Sequence, residues 1–178
     1  HSSISSYQDA LRLKNGSELP SSMSFVSENP VYVKGDFNSV NKKLVGIAAD
    51  SFNVLSNAWQ DSNSLQSNKN NRTANNTTIN AAVIAGNSIT STGNYNGGFE
   101  NIHRFHENWS GKTLSYSGSV AVLYQNQIGT GSWSSQSYSA PNRNWGYDTD
   151  LSDPSASIPG FPSVIHFVTT EWTPDYAL

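Results

Sequence analysis

The most reactive side chains of the sequence lie in the segment from residue 103 to 107, His-Arg-Phe-His-Glu. On a helix, residues three apart share a face, so His103 and His106 could bind a metal ion with Glu107 as a ligand or base. The order differs from the His-Glu-x-x-His motif of zinc proteases, and no third ligand is obvious nearby. The alternative, which we favour, is that both imidazoles form hydrogen bonds within an aromatic loop.

Three carboxylates, those of Asp148, Asp150 and Asp153, occupy a turn-rich stretch. Oxygen ligands on a loop suit Ca²⁺, which takes about 6–8 of them. The stretch lacks the glycine and terminal glutamate of an EF-hand loop, and the same aspartates are good residues for turns and helix caps. The sequence therefore predicts Asp148, Asp150 and Asp153 as candidate ligands of a Ca²⁺ ion. We predict no other metal and no cofactor.

Other acidic pairs and the first residue allow further hypotheses. Glu100 with Glu107, or Asp36 with Asp50, could serve a glycosidase, which needs two carboxyls about 5–10 Å apart. His1 could form a copper site if it is the mature terminus, but a tag remnant is the other explanation. The motifs of nucleophilic serine hydrolases, P-loop enzymes and dinucleotide-binding enzymes are absent. We predict no catalytic residue.

Five tryptophans could stack on sugar rings or could anchor the core and the loops. They are Trp59, Trp109, Trp133, Trp145 and Trp172.

The composition narrows the class of protein. Only 13% of the 178 residues are charged, and Ser, Asn, Thr and Gly are abundant, which is typical of turn-rich β-proteins outside the cell. The net charge of −3 gives no basis for binding nucleic acid or an anionic membrane. There is no cysteine, and no apolar run approaches the roughly 18–20 residues that span a bilayer.

Three segments share a pattern of an apolar run with small residues, a polar corner and a second apolar run. They cover residues 45–55, 79–89 and 117–128. Their spacing of roughly 35–40 residues is in the range of stacked repeats. The pattern predicts an all-β chain that forms a parallel β-helix or similar β-solenoid, with long loop insertions and a short helix.

We expect one domain over residues 1–178. Residues 1–18 would be an N-terminal extension or short helix (4–14), and residues 19–128 the coils. Residues 129–178 would form a loop region that ends in a capping strand at 163–172. Within the coils, the three- and four-residue spacing over 99–109 favours a short helix or wound loop. The alternation over 113–124 favours one or two strands.

Five ordered motifs together resemble one family. They read NPVYVKGDFN, IAADSFNVLSNAW, RTANNTTINAAVIAGN, GGFENIHRFHENWSGKTLSYSGS and PNRNWGYDTD. Their order is similar to that in the C-terminal domain of large bacterial envelope proteins that resemble type IV pilus assembly components of the PilX kind. The resemblance covers about residues 19–172. It implies a pilus-associated protein and brings no catalytic residues with it.

Two functions follow as hypotheses. The first is a non-catalytic structural or interaction module on the surface of a bacterium, which contacts pilus or envelope proteins or a second copy of itself. The second is a carbohydrate-binding or carbohydrate-cleaving β-helix protein. The first hypothesis places the chain outside the cell or on its surface. It includes no nucleic acid as a partner and no membrane segment in this chain.

Overall fold

The computed structural model describes residues 9–86, 102–123, 138–153 and 155–162. These residues form eleven strands and a few 3₁₀ turns, without an α-helix among them. The strands are β1 (Leu11–Lys14), β2 (Met23–Val26), β3 (Val31–Lys34), β4 (Val45–Ala48), β5 (Phe52–Leu55), β6 (Thr77–Asn80), β7 (Ala82–Ala85), β8 (His103–Phe105), β9 (Thr113–Gly118), β10 (Val120–Val122) and β11 (Asn142–Tyr147). Within those ranges, no helix has the length and apolar character needed to cross a membrane.

The strands build three sheets in which each pairing is parallel. The first sheet has the order β1-β3-β5-β8, the second β10-β7-β4-β2 and the third β11-β9-β6. From β5 onward the chain visits the first, third and second sheets in turn, and then repeats that order with β8, β9 and β10. The predicted all-β class is confirmed, with parallel sheets throughout the described residues.

Alternation within the first sheet separates a core side from an outer side. Val31 and Val33 are fully buried, whereas Tyr32 and Lys34 between them are partly exposed. Parallel register continues the alternation across the sheet, so Val33 pairs with Val54, which pairs with Phe105. All three belong to the hydrophobic core, which is therefore built from rows of apolar residues that run across the strands.

The second sheet aligns parts of the segments that share the repeated pattern. Gly46 pairs with Ala82, and Val83 pairs with Val120. Position 46 is occupied by glycine for a packing reason, because a Cβ there would lie 2.4 Å from ring atoms of Phe161. The segment that follows the last 3₁₀ turn thus packs closely on this sheet.

The helix predicted over 4–14 and the helix or wound loop predicted over 99–109 both contain a strand where the structure describes them. Leu11–Lys14 is strand β1, and His103–Phe105 is strand β8. In both segments larger inward residues alternate with arginine, and that two-residue period fits the pleat of a strand next to a paired neighbour. Residues 1–8, residues 87–101 and the predicted capping strand at 163–172 lie outside the described residues.

The sheets include strands on both sides of the predicted coil region. β1 precedes residue 19 and pairs with β3, while β11 follows residue 128 and pairs with β9. The predicted strands over 113–124 are confirmed as β9 and β10. A long polar loop over 57–76 contains 3₁₀ turns at Asp61–Asn63 and Lys69–Asn71.

The close approach of β9 to Ala81, the residue before β7, makes Gly118 sensitive to substitution. A Cβ at this position would lie 1.9 Å from the backbone oxygen of Ala81, which cannot move aside like a flexible side chain. We expect Gly118→Ala to lower the free energy of unfolding by about 1–3 kcal/mol, as overpacking does. Urea denaturation monitored by tryptophan fluorescence would measure the change.

Gly146 is the matched control, because it lies in the adjacent strand β11 and a Cβ there meets nothing within 4 Å. Gly146→Ala should unfold at nearly the same urea concentration as the parent chain. Equal effects of the two substitutions would contradict the packing of β9 against the residue that precedes β7.

Candidate functional site

The outer side of the first sheet carries basic and aromatic side chains. Register places Arg12 beside Tyr32 on neighbouring strands, and Lys14 beside Lys34. Trp59, from the loop after β5, lines the same surface. We refer to these five residues, Arg12, Lys14, Tyr32, Lys34 and Trp59, as the cationic face.

Lys14 and Lys34 form a like-charged pair on adjacent strands. Neighbouring strands in a sheet lie about 4.8 Å apart, and like charges placed directly opposite each other are destabilising. Neither lysine forms a salt bridge with any residue of the described ranges. The charge of Lys34 favours the ionised forms of Asp61 and Glu107, but no carboxylate of the described ranges lies within salt-bridge distance of either ammonium group, so both are available to an external anion.

Arg12 differs from the two lysines because its charge has a partner. Its guanidinium donates to both carboxylate oxygens of Asp61, at 2.9 and 2.8 Å. The indole nitrogen of Trp59 donates to the same carboxylate at 2.8 Å. The hydrogen bond from Arg12, with that from Trp59, lowers the pKa of Asp61. These contacts hold the loop after β5 across the first sheet and fix the position of the Trp59 ring.

A cavity of about 430 Å³ opens between this loop and the sheet. Its lining consists of Ala10, Arg12, Lys14, Tyr32, Leu55 and Trp59. Leu55 is only 1% exposed yet does not belong to the core cluster, so it forms an apolar floor on the outer side of the sheet. Apolar and aromatic walls with a few polar groups are typical of ligand sites.

His106 supports the aromatic wall of this cavity. Its ring contacts Tyr32 with centroids 5.6 Å apart and Trp59 with centroids 6.5 Å apart. Its Nε2 atom lies 2.9 Å from Oδ1 of the buried Asn53. Burial, with the nearby charges of Arg104 and Arg72, lowers the pKa of His106 to about 4. The imidazole is therefore neutral at pH 7 and serves to position the two larger rings.

His103 lies on the opposite side of the same sheet. It packs in the interior against Tyr116 and Trp145, with centroids 4.4 and 4.6 Å away. Burial, together with the charge of Arg143, lowers its pKa to about 4. A strand sends residues three apart to opposite faces, so the two imidazoles do not share a metal ion as they would on a helix. His106 forms a hydrogen bond within the aromatic surroundings of the loop, as we favoured from the sequence, whereas His103 packs in the core.

Glu107 is completely buried and ties two loops together. Its carboxylate accepts hydrogen bonds from the backbone nitrogen and the hydroxyl of Ser56, at 2.6 and 2.7 Å. Burial raises the pKa of Glu107, and the two bonds from Ser56 oppose that shift. The residue thus fastens the turn after β8 to the turn after β5, next to the cationic face, without reaching solvent.

The three predicted calcium ligands do not point at one site. Lys42 Nζ lies 2.6 Å from Asp148 Oδ1 and 2.9 Å from Asp150 Oδ2, so an ammonium group sits between these carboxylates. Although burial opposes it, hydrogen bonding to both carboxylates raises the pKa of Lys42. Asp153 instead accepts from the backbone and hydroxyl of Ser155, at 2.8 and 2.6 Å. No group of three metal-binding side chains occurs in the described part of the chain, and calcium at these aspartates stays a prediction.

The remaining candidates are dispersed. Asp36 accepts a hydrogen bond from the backbone nitrogen of Thr78, which gives it a structural role. Trp109 is fully buried beside Phe105, and Trp145 covers the core at the third sheet. His1, Glu100, Trp133 and Trp172 lie outside the described residues.

Sequence reasoning missed the cationic face because it assigned residues 4–14 to a helix. The signal was present in two matching tetrapeptides, LRLK at 11–14 and VYVK at 31–34. Each alternates apolar residues with an aromatic or basic residue and ends in lysine. Two strands of this kind that pair in register place both lysines on one outer row.

The neutral, buried imidazole of His103 should make stability depend on pH. The unfolded chain binds a proton at this residue near pH 6.5 and the folded chain only near pH 4, so acidification through this window favours unfolding. The loss amounts to about 3 kcal/mol at most, at about 1.4 kcal/mol per pKa unit. His103→Phe keeps the ring contacts and should lose clearly less stability between pH 6.5 and 4.

Urea denaturation at several pH values would measure both proteins, and their difference cancels all other titrating groups. Nε2 of His103 is buried and has no hydrogen-bond partner among the described residues, so the variant should be at least as stable as the parent at pH 8. Parallel pH profiles for the two proteins would contradict a neutral, buried His103.

The ammonium group of Lys42 is the second feature that substitution can test. Lys42→Met leaves Asp148, which is 5% exposed, without its cation, and we expect a loss of about 1–3 kcal/mol in the free energy of unfolding. Ca²⁺ could then bind between the two carboxylates and restore the melting temperature. Lys43→Met is the matched control, since Lys43 forms no salt bridge with a described residue.

Melting curves with EDTA and with added Ca²⁺ distinguish the outcomes. A calcium-dependent rise in the unsubstituted chain means that the ion displaces Lys42 at the predicted site. A rise in Lys42→Met alone means that the lysine takes the place of the ion. If neither protein responds, calcium binding at Asp148, Asp150 and Asp153 is excluded.

Comparison with known proteins adds no relative: no family model, no curated protein and no solved structure matches this chain.

Proposed function

We propose that this chain is a β-solenoid interaction module that binds a partner through its cationic face. In such a fold each coil contributes one strand to each sheet, and a coil buries its apolar residues only when a neighbour stacks on it. The recurring visit to the first, third and second sheets supports this architecture. So does the bridge between Phe37 and Ile79, which extends the third sheet by one more coil.

The observation that carries the proposed function is the row formed by Lys14 and Lys34 beside an open cavity with aromatic walls. Two adjacent lysines repel each other in the folded chain, whereas a binding surface gains an anion site from them. The side chains stand on strands, whose backbone is fixed by pairing on both sides at β3. A rigid sheet presents such groups in a constant geometry, which lowers the entropic cost of binding.

The setting that we propose is the surface of a bacterium, in association with type IV pili. The support is the resemblance of the ordered motifs to the C-terminal domain of PilX-like envelope proteins. The turn-rich composition with few charges agrees with such a location. In this setting the partner of the cationic face is a pilus subunit, another envelope component or a surface polymer.

A second candidate function is carbohydrate binding, and one observation favours it. Tyr32 and Trp59 both line the cavity, and aromatic rings beside polar groups form common sugar-binding surfaces. A carbohydrate-cleaving role would in addition need a catalytic acid and base at the sugar, and Asp61 at this surface is held by Arg12.

The proposal predicts that reversing the charge of the lysine row abolishes partner binding. The double variant Lys14→Glu/Lys34→Glu should co-sediment with sheared type IV pili or with whole cells of the source bacterium at least about tenfold more weakly than the parent chain. Because Lys34→Glu also places a carboxylate near Asp61 and Glu107, melting curves verify that the variant is folded at the temperature of the binding assay.

A charge-matched control is Lys43→Glu/Lys112→Glu, which makes the same change in net charge away from the first sheet. Its binding should equal that of the parent. Equal losses in both double variants would indicate a non-specific effect of net charge, and unchanged binding in the Lys14/Lys34 variant would exclude the cationic face as the partner site.

A further inference from the structure

We infer that the ligand of the cationic face is an acidic oligosaccharide, whose rings stack on Tyr32 and Trp59 and whose anionic groups pair with Lys14 and Lys34. The inference rests on the proposed function, because it names the class of ligand for the same surface. It is carried by three features of the described residues: a row of two lysines that form no salt bridge, a fixed pair of aromatic walls and the size of the cavity between them.

The first step concerns charge. Arg12 is already paired with Asp61, so the cations left for a ligand in and beside the cavity are Lys14 and Lys34. They lie on successive strands of one sheet, about 4.8 Å apart along the row. A polymer that carries an anion on each of two neighbouring units matches such a row better than a single small anion does.

The second step concerns the rings. The C–H groups on one side of a sugar ring carry partial positive charge and stack on the negative face of an aromatic ring. Trp59 is held by its hydrogen bond to Asp61, and Tyr32 by its contact with His106. Since both rings are fixed before binding, little side-chain entropy remains to be lost.

Single-stranded nucleic acid is the alternative ligand of similar charge. Single-stranded nucleic acid also combines stacking with anions, but its binding draws on a broad positive field along the backbone. This chain has a net charge of −3, and only three of its ten lysines and arginines, Arg12, Lys14 and Lys34, belong to the cationic face. The local pair of lysines beside a cavity of about 430 Å³ fits one or two sugar rings with their anions.

The experiment measures binding of defined oligosaccharides by calorimetry at low and moderate salt. The probes are a galacturonate tetramer, its methyl ester with the same rings and no charge, a sulfated oligosaccharide and a single-stranded DNA oligonucleotide. We expect the galacturonate tetramer to bind, and its methyl ester to bind at least about tenfold more weakly. A preference for the sulfated probe would also support an acidic saccharide and would identify sulfate as the anion.

Variants then assign the two parts of the site. Lys14→Met/Lys34→Met should weaken binding of the acidic probe at least about tenfold, while Lys43→Met/Lys112→Met should leave it unchanged. Tyr32→Ala and Trp59→Ala should weaken binding of both the charged and the esterified sugar, because each removes a stacking surface. Circular dichroism and melting curves verify that the variants are folded, and Tyr32→Ala provides the ring test if Trp59→Ala is not.

Several results would overturn the inference. Tighter binding of the oligonucleotide would make the face a nucleic-acid site. Binding that depends on both lysines but not on either ring would reduce it to ion exchange. If the folded chain binds neither acidic saccharide, the inference fails, whereas lysine-dependent co-sedimentation with pili would still support the proposed function. Saccharide binding without any binding to pili or cells would support the inference and contradict the proposed pilus partner.

Discussion

The register between parallel strands is the constraint on which the rest of this structure depends. Each strand pairs with its neighbours residue for residue, so Val33, Val54 and Phe105 fall in one row and Lys14 and Lys34 in another. The inward rows of the first sheet are apolar and contribute to the core, so that side of the sheet is kept from water. A shift by one residue would bury the lysines and expose the valines, and this large penalty fixes the register. The cationic face is therefore a direct consequence of core packing.

Buried polar groups then attach the loops to the sheets. The carboxylate of Glu107 accepts two hydrogen bonds from Ser56, and the amide of Asn38 bonds to the backbone of Lys43 and Asn80. Groups of this kind are stable in the interior only when their hydrogen bonds are satisfied. They bring fixed turns to the ends of the strands, and the turn at Ser56 leads into the loop that carries Trp59. The aromatic wall of the cavity is thus held from the interior as well as by Asp61.

The strand-rich class and the stacking of similar segments could be predicted from the sequence, since alternation and repeat spacing are local signals. The two segments were predicted wrongly because three- and four-residue spacings over 4–14 and 99–109 fit a helical period when each segment is read alone. Pairing with a neighbouring strand decided the outcome, and a single segment does not contain that information. The same limit applies to the site, because Lys14 and Lys34 are twenty positions apart and meet only through the pairing of β1 with β3. Asp148 and Asp150 are near each other in the sequence, but the approach of Lys42 from more than a hundred residues away is not visible in it.

The charges of the cationic face fall into two groups, one paired within the chain and one open to a ligand. Arg12 and Asp61 satisfy each other, so this ion pair shapes the cavity without attracting a ligand. Lys14 and Lys34 oppose each other, and their repulsion falls when an anion binds between them, so binding and stability are coupled through the same two charges. The nearby imidazole of His106 stays neutral down to about pH 4 and adds no further repulsion. Over most of the physiological range the charge of the face is therefore set by lysines alone, and its affinity for an anion should respond to salt much more than to pH.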